Sequence, residues 1–162
     1  RDSSTSRGLG DVYKRQALSN LTINTINEKS VLFNILRNNK LYCLGLLPIG
    51  EITNLCHIES IEQIYKDGIK FPLIITEIDM ERCIVKLSLK KLLANNKDKV
   101  KSLDYYTRYS AHIIGKRDND SIIIVDKIWI EGILIESKNS KIGDKVSVRA
   151  ISLGEIPEFS GD

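Results

Sequence analysis

Short apolar runs separated by turn residues follow one another from residue 17 onwards. Residues 18–26, 30–36 and 41–47 are rich in apolar side chains, and the polar segments 27–29 and 37–40 lie between them. Apolar runs of this length bounded by Asn, Lys and Arg are typical of strands joined by tight turns. The pattern therefore predicts three consecutive strands in the first part of the chain.

Two further strands are predicted at residues 69–78 and 83–89. The first is β-branched and apolar, with Pro72 near its start, and residues 79–82 form a polar break suited to a hairpin turn. The second alternates, so that one face is predicted to hold Cys83, Val85, Leu87 and Leu89. Isoleucines at helical spacing predict a short helix over residues 59–65, between the third and fourth strands.

Five short strands with a helix between the third and fourth are typical of a small closed barrel of the oligonucleotide-binding (OB) type. The sequence therefore predicts an all-β fold whose first domain, residues 17–92, is such a barrel. Alternation predicts that its core includes Ile23, Leu47, Ile49, Ile74, Ile78, Val85 and Leu87.

The hairpin at residues 66–91, KDGIKFPLIITEIDMERCIVKLSLKK, also carries a family resemblance. With the upstream GLLPIGEI at residues 45–52, it resembles the S-one RNA-binding family, which is named after the largest ribosomal small-subunit protein. The resemblance covers about residues 19–91. It implies an OB-fold that binds single-stranded RNA, in a fragment of a larger ribosomal S-one-like protein that engages messenger RNA in translation.

The family's RNA platform usually holds two aromatic residues, a His, an Asp and an Arg. The matching positions here are Lys29, Leu32, Pro48, Asp79 and Ile84, of which only Asp79 agrees. Other residues on the same strands or loops could supply substitute contacts. The candidate RNA-binding residues are therefore Tyr42, Lys40, Arg37, Lys86, Asp79 and Lys29, whereas alternation makes Phe33 a core residue.

Residues 109–162 resemble a second, degenerate and shortened copy of the barrel. SIIIV at 121–125 echoes 30–34, Gly132 echoes Gly45, and the segment from Gly143 echoes the segment from Gly68. The two glycines are only 11 residues apart in the second copy, so this copy is predicted to lack the helix. An unrelated antiparallel sheet is the alternative. Residues 93–108 are polar and are predicted to be a linker or a short helix.

Residues 1–16 read RDSSTSRGLGDVYKRQ, and their end resembles a translated transposon end from a sequencing adapter. We expect this leader to be an artefact or a disordered tail that is foreign to the fold, and the chain to be a fragment. The leader holds four Lys or Arg and two Asp or Glu, which leaves one positive charge of the formal net +3 for the remainder. Such a balance is far below that of a dedicated nucleic-acid binder.

No catalytic or metal-binding pattern is evident. The three cysteines form no CxxC pair, and His57 and His112 have no patterned partners. The sequence predicts a non-enzymatic chain without cofactor or metal, with reduced thiols in the cytoplasm and no membrane span.

Three functions remain open at this point. The first is weak binding of single-stranded RNA. The second is a barrel that has lost its RNA platform and docks on the ribosome or another protein. The third is the RNA-binding tail of an exoribonuclease whose catalytic domain lies outside this sequence.

Overall fold

The computed structural model describes residues 17–19, 21–66 and 69–161. The adapter-like leader, residues 1–16, lies outside the described residues. Strands dominate the described chain, and the all-β prediction is confirmed. Within this part of the chain, no helix is long and apolar enough to cross a membrane.

The first barrel is a curled six-stranded sheet. Its strand order is β1-β5-β6-β4-β3-β2, and the pairing is antiparallel except between β4 and β6. β1 and β2 stand at opposite ends of this order but are consecutive along the chain, so together they take the place of one first strand that pairs with both β3 and β5. The strands are β1 (Ala17–Leu18), β2 (Thr22–Ile26), β3 (Ser30–Arg37), β4 (Lys40–Pro48), β5 (Leu73–Asp79) and β6 (Ile84–Ser88).

The second barrel is closed and has five strands. Its order is β10-β11-β9-β8-β7, with β7 paired back to β10 and with β9 and β11 parallel. The strands are β7 (Arg108–Arg117), β8 (Asp120–Val125), β9 (Ile130–Leu134), β10 (Lys145–Ser152) and β11 (Glu158–Gly161). No helix lies between β9 and β10, as the short glycine spacing predicted.

Both barrels have the same topology. In each, the first strand pairs with the second and fourth, the second with the third, and the third runs parallel to the fifth. This is the order of a five-stranded OB-type barrel, and the prediction of tandem OB-like barrels is confirmed.

Short helices complete the chain: α1 (Ile61–Tyr65), α2 (Lys90–Asn95) and the 3₁₀ helices Ile49–Glu51 and Lys97–Ser102. The Ser60 hydroxyl caps α1 by accepting the N–H of Gln63 at 3.3 Å.

The interior of the first barrel agrees only in part with the predicted core. Leu47, Ile74, Val85 and Leu87 are buried, whereas Ile23, Ile49 and Ile78 are half-buried. Ile23 and Ile78 are opposite the buried residues Phe33 and Val85, and each lies close to a β-bulge where the register of its strand shifts. Ile49 lies in a 3₁₀ helix.

Cys83 does not share the inward face of Val85 and Leu87. It is exposed and has a positive φ of 53°, because it belongs to the turn before β6 rather than to the strand. The alternation of β6 therefore begins after Cys83, and the predicted strand start was one residue early.

The chain divides into two compact units whose boundaries differ from the expected domains. The first unit extends to Ile52 and resumes at Lys70–Leu92, and the second comprises Thr53–Ile69 and Leu93–Asp162. The segment 53–69, which follows β4 in the chain, thus belongs to the second unit. So does the expected linker 93–108, whose Leu103 is 5% exposed in the core of the second barrel.

Candidate nucleic-acid interface

The outer surface of β3 and β4 in the first barrel forms a continuous strip. Alternation buries Val31, Phe33 and Ile35 inside the barrel, which confirms the core assignment of Phe33. The intervening side chains therefore point outwards. We define the β3–β4 strip as the outward residues Leu32, Asn34, Leu36, Tyr42, Leu44 and Leu46, with Leu32 opposite Leu46 and Asn34 opposite Leu44.

Three of the candidate residues lie together where β3 turns into β4. Asn38 and Asn39 have φ of 54° and 64°, the positive values that a two-residue hairpin turn requires, and Arg37 pairs with Lys40 across this turn. The Arg37 guanidinium carbon lies 5.7 Å from the centroid of the Tyr42 ring, within the range of a cation–π contact. The turn thus holds a cation against an aromatic residue that is 38% exposed.

Lys86 and Asp79 lie beside the strip, but both have partners within the barrel. Lys86 is opposite Leu46, and its Nζ lies 3.2 Å from Oε2 of Glu77 on β5. Asp79 accepts the backbone N–H of Arg82 at 3.2 Å, so its carboxylate stabilises the β5–β6 turn. Lys86 is therefore partly neutralised, and Asp79 has a turn role.

Lys29 is not brought together with the other candidates. It lies in the turn between β2 and β3, where its carbonyl oxygen accepts the N–H of Ile49 at 2.8 Å. That turn is at the opposite end of β3 from Arg37. Lys29 is exposed but belongs to a different part of the surface.

Arg82 is a cation that the sequence reasoning missed. Its side chain is 80% exposed and its Nε lies 3.8 Å from Oδ2 of Asp79. The Leu44 N–H donates to the Cys83 carbonyl at 3.1 Å, which places the β5–β6 turn at the same end of the barrel as Tyr42. The sequence signal for this residue was the Glu81-Arg82 pair of the hairpin motif. Arg82 lies two positions before Ile84, the residue that the resemblance aligned with the family's arginine.

The middle of the strip is aliphatic and nearly neutral. Leu32, Leu44 and Leu46 are half-buried, as is Ile84, which is opposite Leu44 on β6. Around them, the four cations Arg37, Lys40, Arg82 and Lys86 face the three carboxylates Glu77, Asp79 and Glu81, a net of one positive charge. The strip thus has a cationic, aromatic end and an apolar middle.

The equivalent face of the second barrel is covered. Ile122 and Ile124 on β8 are fully buried, although the interior of this barrel is built from the alternate residues Ile123 and Val125. Ile122 is opposite Gly115 and Ile124 is opposite Glu131. Both outward isoleucines must therefore be shielded from outside the barrel wall.

Residues 53–66 provide this cover. A Cβ atom on Gly115 would collide with Sγ of Cys56 and would lie 3.4 Å from Cδ1 of Ile58. On the other side of β8, the Thr53 hydroxyl donates to Oε2 of Glu131 at 2.7 Å. Ile58, Ile61 and Ile64 of the segment are themselves buried. We call residues 53–66 the covering segment.

Glu131 shows the electrostatic effect of this cover. Burial raises the pKa of its carboxyl above the usual range, and the hydrogen bond from Thr53 acts in the opposite direction. Glu131 is therefore a partly desolvated acid at the edge of the covering segment, and the Thr53 hydroxyl is its hydrogen-bond donor from that segment.

The remaining residues weighed from sequence have structural settings. His57 is exposed, whereas Nδ1 of His112 lies 2.7 Å from Oδ1 of Asp126. The Trp129 carbonyl accepts a hydrogen bond from Asn96 at 2.9 Å. Among residues 17–19, 21–66 and 69–161, no group of three or more His, Cys, Asp or Glu side chains could hold a metal ion.

No protein-family model matches this chain, and no curated protein matches it either.

Proposed function

We propose that the chain binds single-stranded RNA weakly through the β3–β4 strip, as an S-one-like module of a larger ribosomal S-one-type protein that acts in translation. The observation that carries this proposal is the Arg37–Tyr42 pair at the open end of an OB-type barrel face. OB barrels hold single strands by stacking bases on aromatic rings beside cations that follow the backbone.

The strip offers one stacking position and a few cations. A base stacked on Tyr42 would contribute about 1–3 kcal/mol, and Arg37, Lys40 and Arg82 at the same end can contact phosphates. Lys86 contributes less because Glu77 competes for it. One ring and a net of one positive charge imply weak binding that falls with salt.

Tyr42→Ala tests the proposal, with Tyr42→Phe as the matched control that keeps the ring. At low salt, we expect Tyr42→Ala to weaken binding of a labelled single-stranded oligonucleotide about five- to 150-fold, and Tyr42→Phe to bind as the unchanged chain does. Equal affinity of Tyr42→Ala and the unchanged chain would contradict a stacking role for this ring.

Docking on a protein is the second candidate, and the aliphatic middle of the strip favours it. Leu32, Leu44, Leu46 and Ile84 offer an apolar contact without aromatic rings. Under this alternative, Leu44→Gln would abolish binding to the ribosome or another protein partner, and Arg37→Gln would matter little. Absence of RNA binding even at low salt would favour this candidate.

We further propose that the chain itself has no catalytic activity and no cofactor, and that it works in the cytoplasm. Asp79, the matched acid of the family pattern, is occupied by the backbone of its own turn. Incubation with RNA and Mg²⁺ should therefore release no nucleotides. Cleavage that persists through purification and disappears in Asp79→Asn would overturn this proposal.

A further inference from the structure

Two of the three cysteines lie beside each other at one end of the first barrel. β4 and β6 run parallel, with Leu44 opposite Ile84. The Leu44 N–H donates to the carbonyl of Cys83, the residue directly before β6, at 3.1 Å. Cys43 and Cys83, which precede the opposite residues Leu44 and Ile84, are therefore neighbours across this pair of strands.

The register of these strands suits a disulfide bond. Neighbouring strands lie about 4.8 Å apart, and the Cα atoms of bonded cysteines are usually about 4.4–6.8 Å apart. Gly45 and Val85 are opposite each other, and both are buried on the inner face. Cys43, two residues before Gly45, is buried on the same face. Cys83, two residues before Val85, would join that face if β6 began one residue earlier.

The backbone of Cys83 keeps its thiol away from Cys43 in the reduced chain. Its φ of 53° is left-handed, which is unfavourable for a residue with a Cβ atom, and the residue is exposed. Its Sγ lies 3.9 Å from the carbonyl oxygen of Met80, and a thiol is only a weak hydrogen-bond donor. A change of Cys83 to the extended conformation would remove the unfavourable φ and turn Sγ towards Cys43.

The two thiols differ in reactivity. Burial raises the pKa of the Cys43 thiol, and the negative charge of an ionised Cys83 raises it further, as expected of close neighbours. Cys43 therefore stays protonated near neutral pH, and its burial shields it from dissolved reagents. Cys83 is exposed to them. An oxidant should therefore react first with Cys83, and Cys43 should react second.

We propose that Cys43 and Cys83 form a reversible disulfide when a peroxide oxidises the chain. The Cys83 thiolate attacks one peroxide oxygen and the O–O bond breaks, which leaves a sulfenic acid on Cys83 and a hydroxide that takes up the thiol proton as water. The Cys43 sulfur then attacks Sγ of Cys83, forms the S–S bond and releases the sulfenic oxygen as a second water. Two thiols are oxidised and one hydrogen peroxide is reduced to two waters.

Peptide mapping of the oxidised full chain tests the proposal. The folded chain is treated with hydrogen peroxide, its remaining thiols are blocked, and it is digested without reductant for mass spectrometry. We expect a linked pair of peptides that contain Cys43 and Cys83, and we expect dithiothreitol to separate them. The yield should not depend on protein concentration, because the bond forms within one chain.

Cys56 provides the control. Cys56→Ser should form the same disulfide as the unchanged chain, because it retains both members of the pair. In urea, the unchanged chain should lose its preference for Cys43 with Cys83. Cys43 is 13 residues from Cys56 and 40 residues from Cys83, and a shorter loop of an unfolded chain closes more readily.

Cys43→Ala separates the two steps. Without the second thiol, Cys83 should stop at the sulfenic acid, which dimedone traps, and circular dichroism shows whether this variant is folded. The proposal is overturned if oxidised Cys56→Ser gives only dimers linked between chains. It is equally overturned if Cys83 of that variant advances to the sulfinic acid while Cys43 stays reduced. None of these measurements uses RNA, so the result does not depend on the proposed function.

Discussion

The two barrels share one strand order, but the same outer face is partly exposed in the first barrel and buried in the second. In the first, the outer side of β3 and β4 is half-exposed; in the second, the outer side of β8 carries Ile122 and Ile124, both fully buried beneath the covering segment. The OB-type topology therefore does not by itself create a binding site. Whether a face is available depends on what the rest of the chain places on it.

The sequences of the equivalent strands account for the difference. β3 reads SVLFNILR, and its inward residues alternate with half-buried ones that include Asn34. β8 reads DSIIIV, and every residue after Asp120 is buried. A strand that is covered on both sides reads as a continuous apolar run, whereas a strand with one solvated side alternates.

The largest effect is expected where the barrels are alike, in their interiors. Leu87 and Ile123 are both fully buried, and Leu87 packs so tightly that a Cβ on Gly45 would lie 2.6 Å from its Cδ1. Leu87→Ala and Ile123→Ala should each lower the free energy of unfolding by about 2–5 kcal/mol. Urea unfolding followed by circular dichroism measures both. A loss below about 1 kcal/mol for Leu87→Ala would contradict its place in the first core.

The strands and turns could be predicted from sequence because their signals are local. The turn at Asn38 and Asn39, the hairpin around Asp79 and the inward position of Phe33 follow from neighbouring residues. The covering segment could not be placed in the same way. Ile58, Ile61 and Ile64 predicted a helix with one apolar face, but that spacing does not say which barrel the face meets.

The candidate site was recovered in part for the same reason. Arg37, Lys40 and Tyr42 lie within six residues, so a hairpin brings them together. Lys29 was grouped with them only by family position and lies at the other end of β3. Arg82 was missed because its position beside the strip depends on the conformation of the β5–β6 turn. In that turn Cys83 has a positive φ, which the sequence pattern does not reveal.

The next effect contrasts outward-facing residues of the two barrels. Ile124→Ala should cost at least about 2 kcal/mol, because its fully buried side chain would leave a cavity beneath the covering segment. Leu44→Ala, at an outward position of β4 that is half-buried, should cost less than half as much. The fluorescence of Trp129 follows unfolding of the second unit, and far-ultraviolet circular dichroism follows the loss of strands in both units, so that a change seen by circular dichroism but not by Trp129 fluorescence belongs to the first unit. Equal losses of unfolding free energy for Ile124→Ala and Leu44→Ala would contradict the difference between an open face and a covered one.

A smaller effect is expected at the edge of the cover. Thr53→Ala removes the hydroxyl donor from the partly buried Glu131 carboxylate and should cost about 1–3 kcal/mol near neutral pH. Thr53→Ser keeps the donor and serves as the control. If both variants matched the unchanged chain, the bond between Thr53 and Glu131 would not contribute to holding the segment.

Ionisation of Glu131 also makes the stability of the second unit depend on pH. Burial raises its folded pKa above the unfolded value, so its contribution to stability is fully present below the unfolded pKa and is lost as pH rises through the folded pKa. Glu131→Gln cannot ionise, so the second unit should be more stable than the unchanged chain at neutral pH and should lose this part of the pH dependence. Greater stability of the unchanged chain at neutral pH would contradict the burial argument.

Hydrogen exchange with and without single-stranded RNA tests the contrast between the barrels most directly. At low salt, RNA should slow exchange of backbone amides in β3, β4 and the turn between them, and should leave β8, β9 and the covering segment unchanged. The account predicts this protection because only the first barrel exposes the outer face of its second and third strands. Protection of β8 and β9, or faster exchange in residues 53–66 as RNA displaces them, would contradict it.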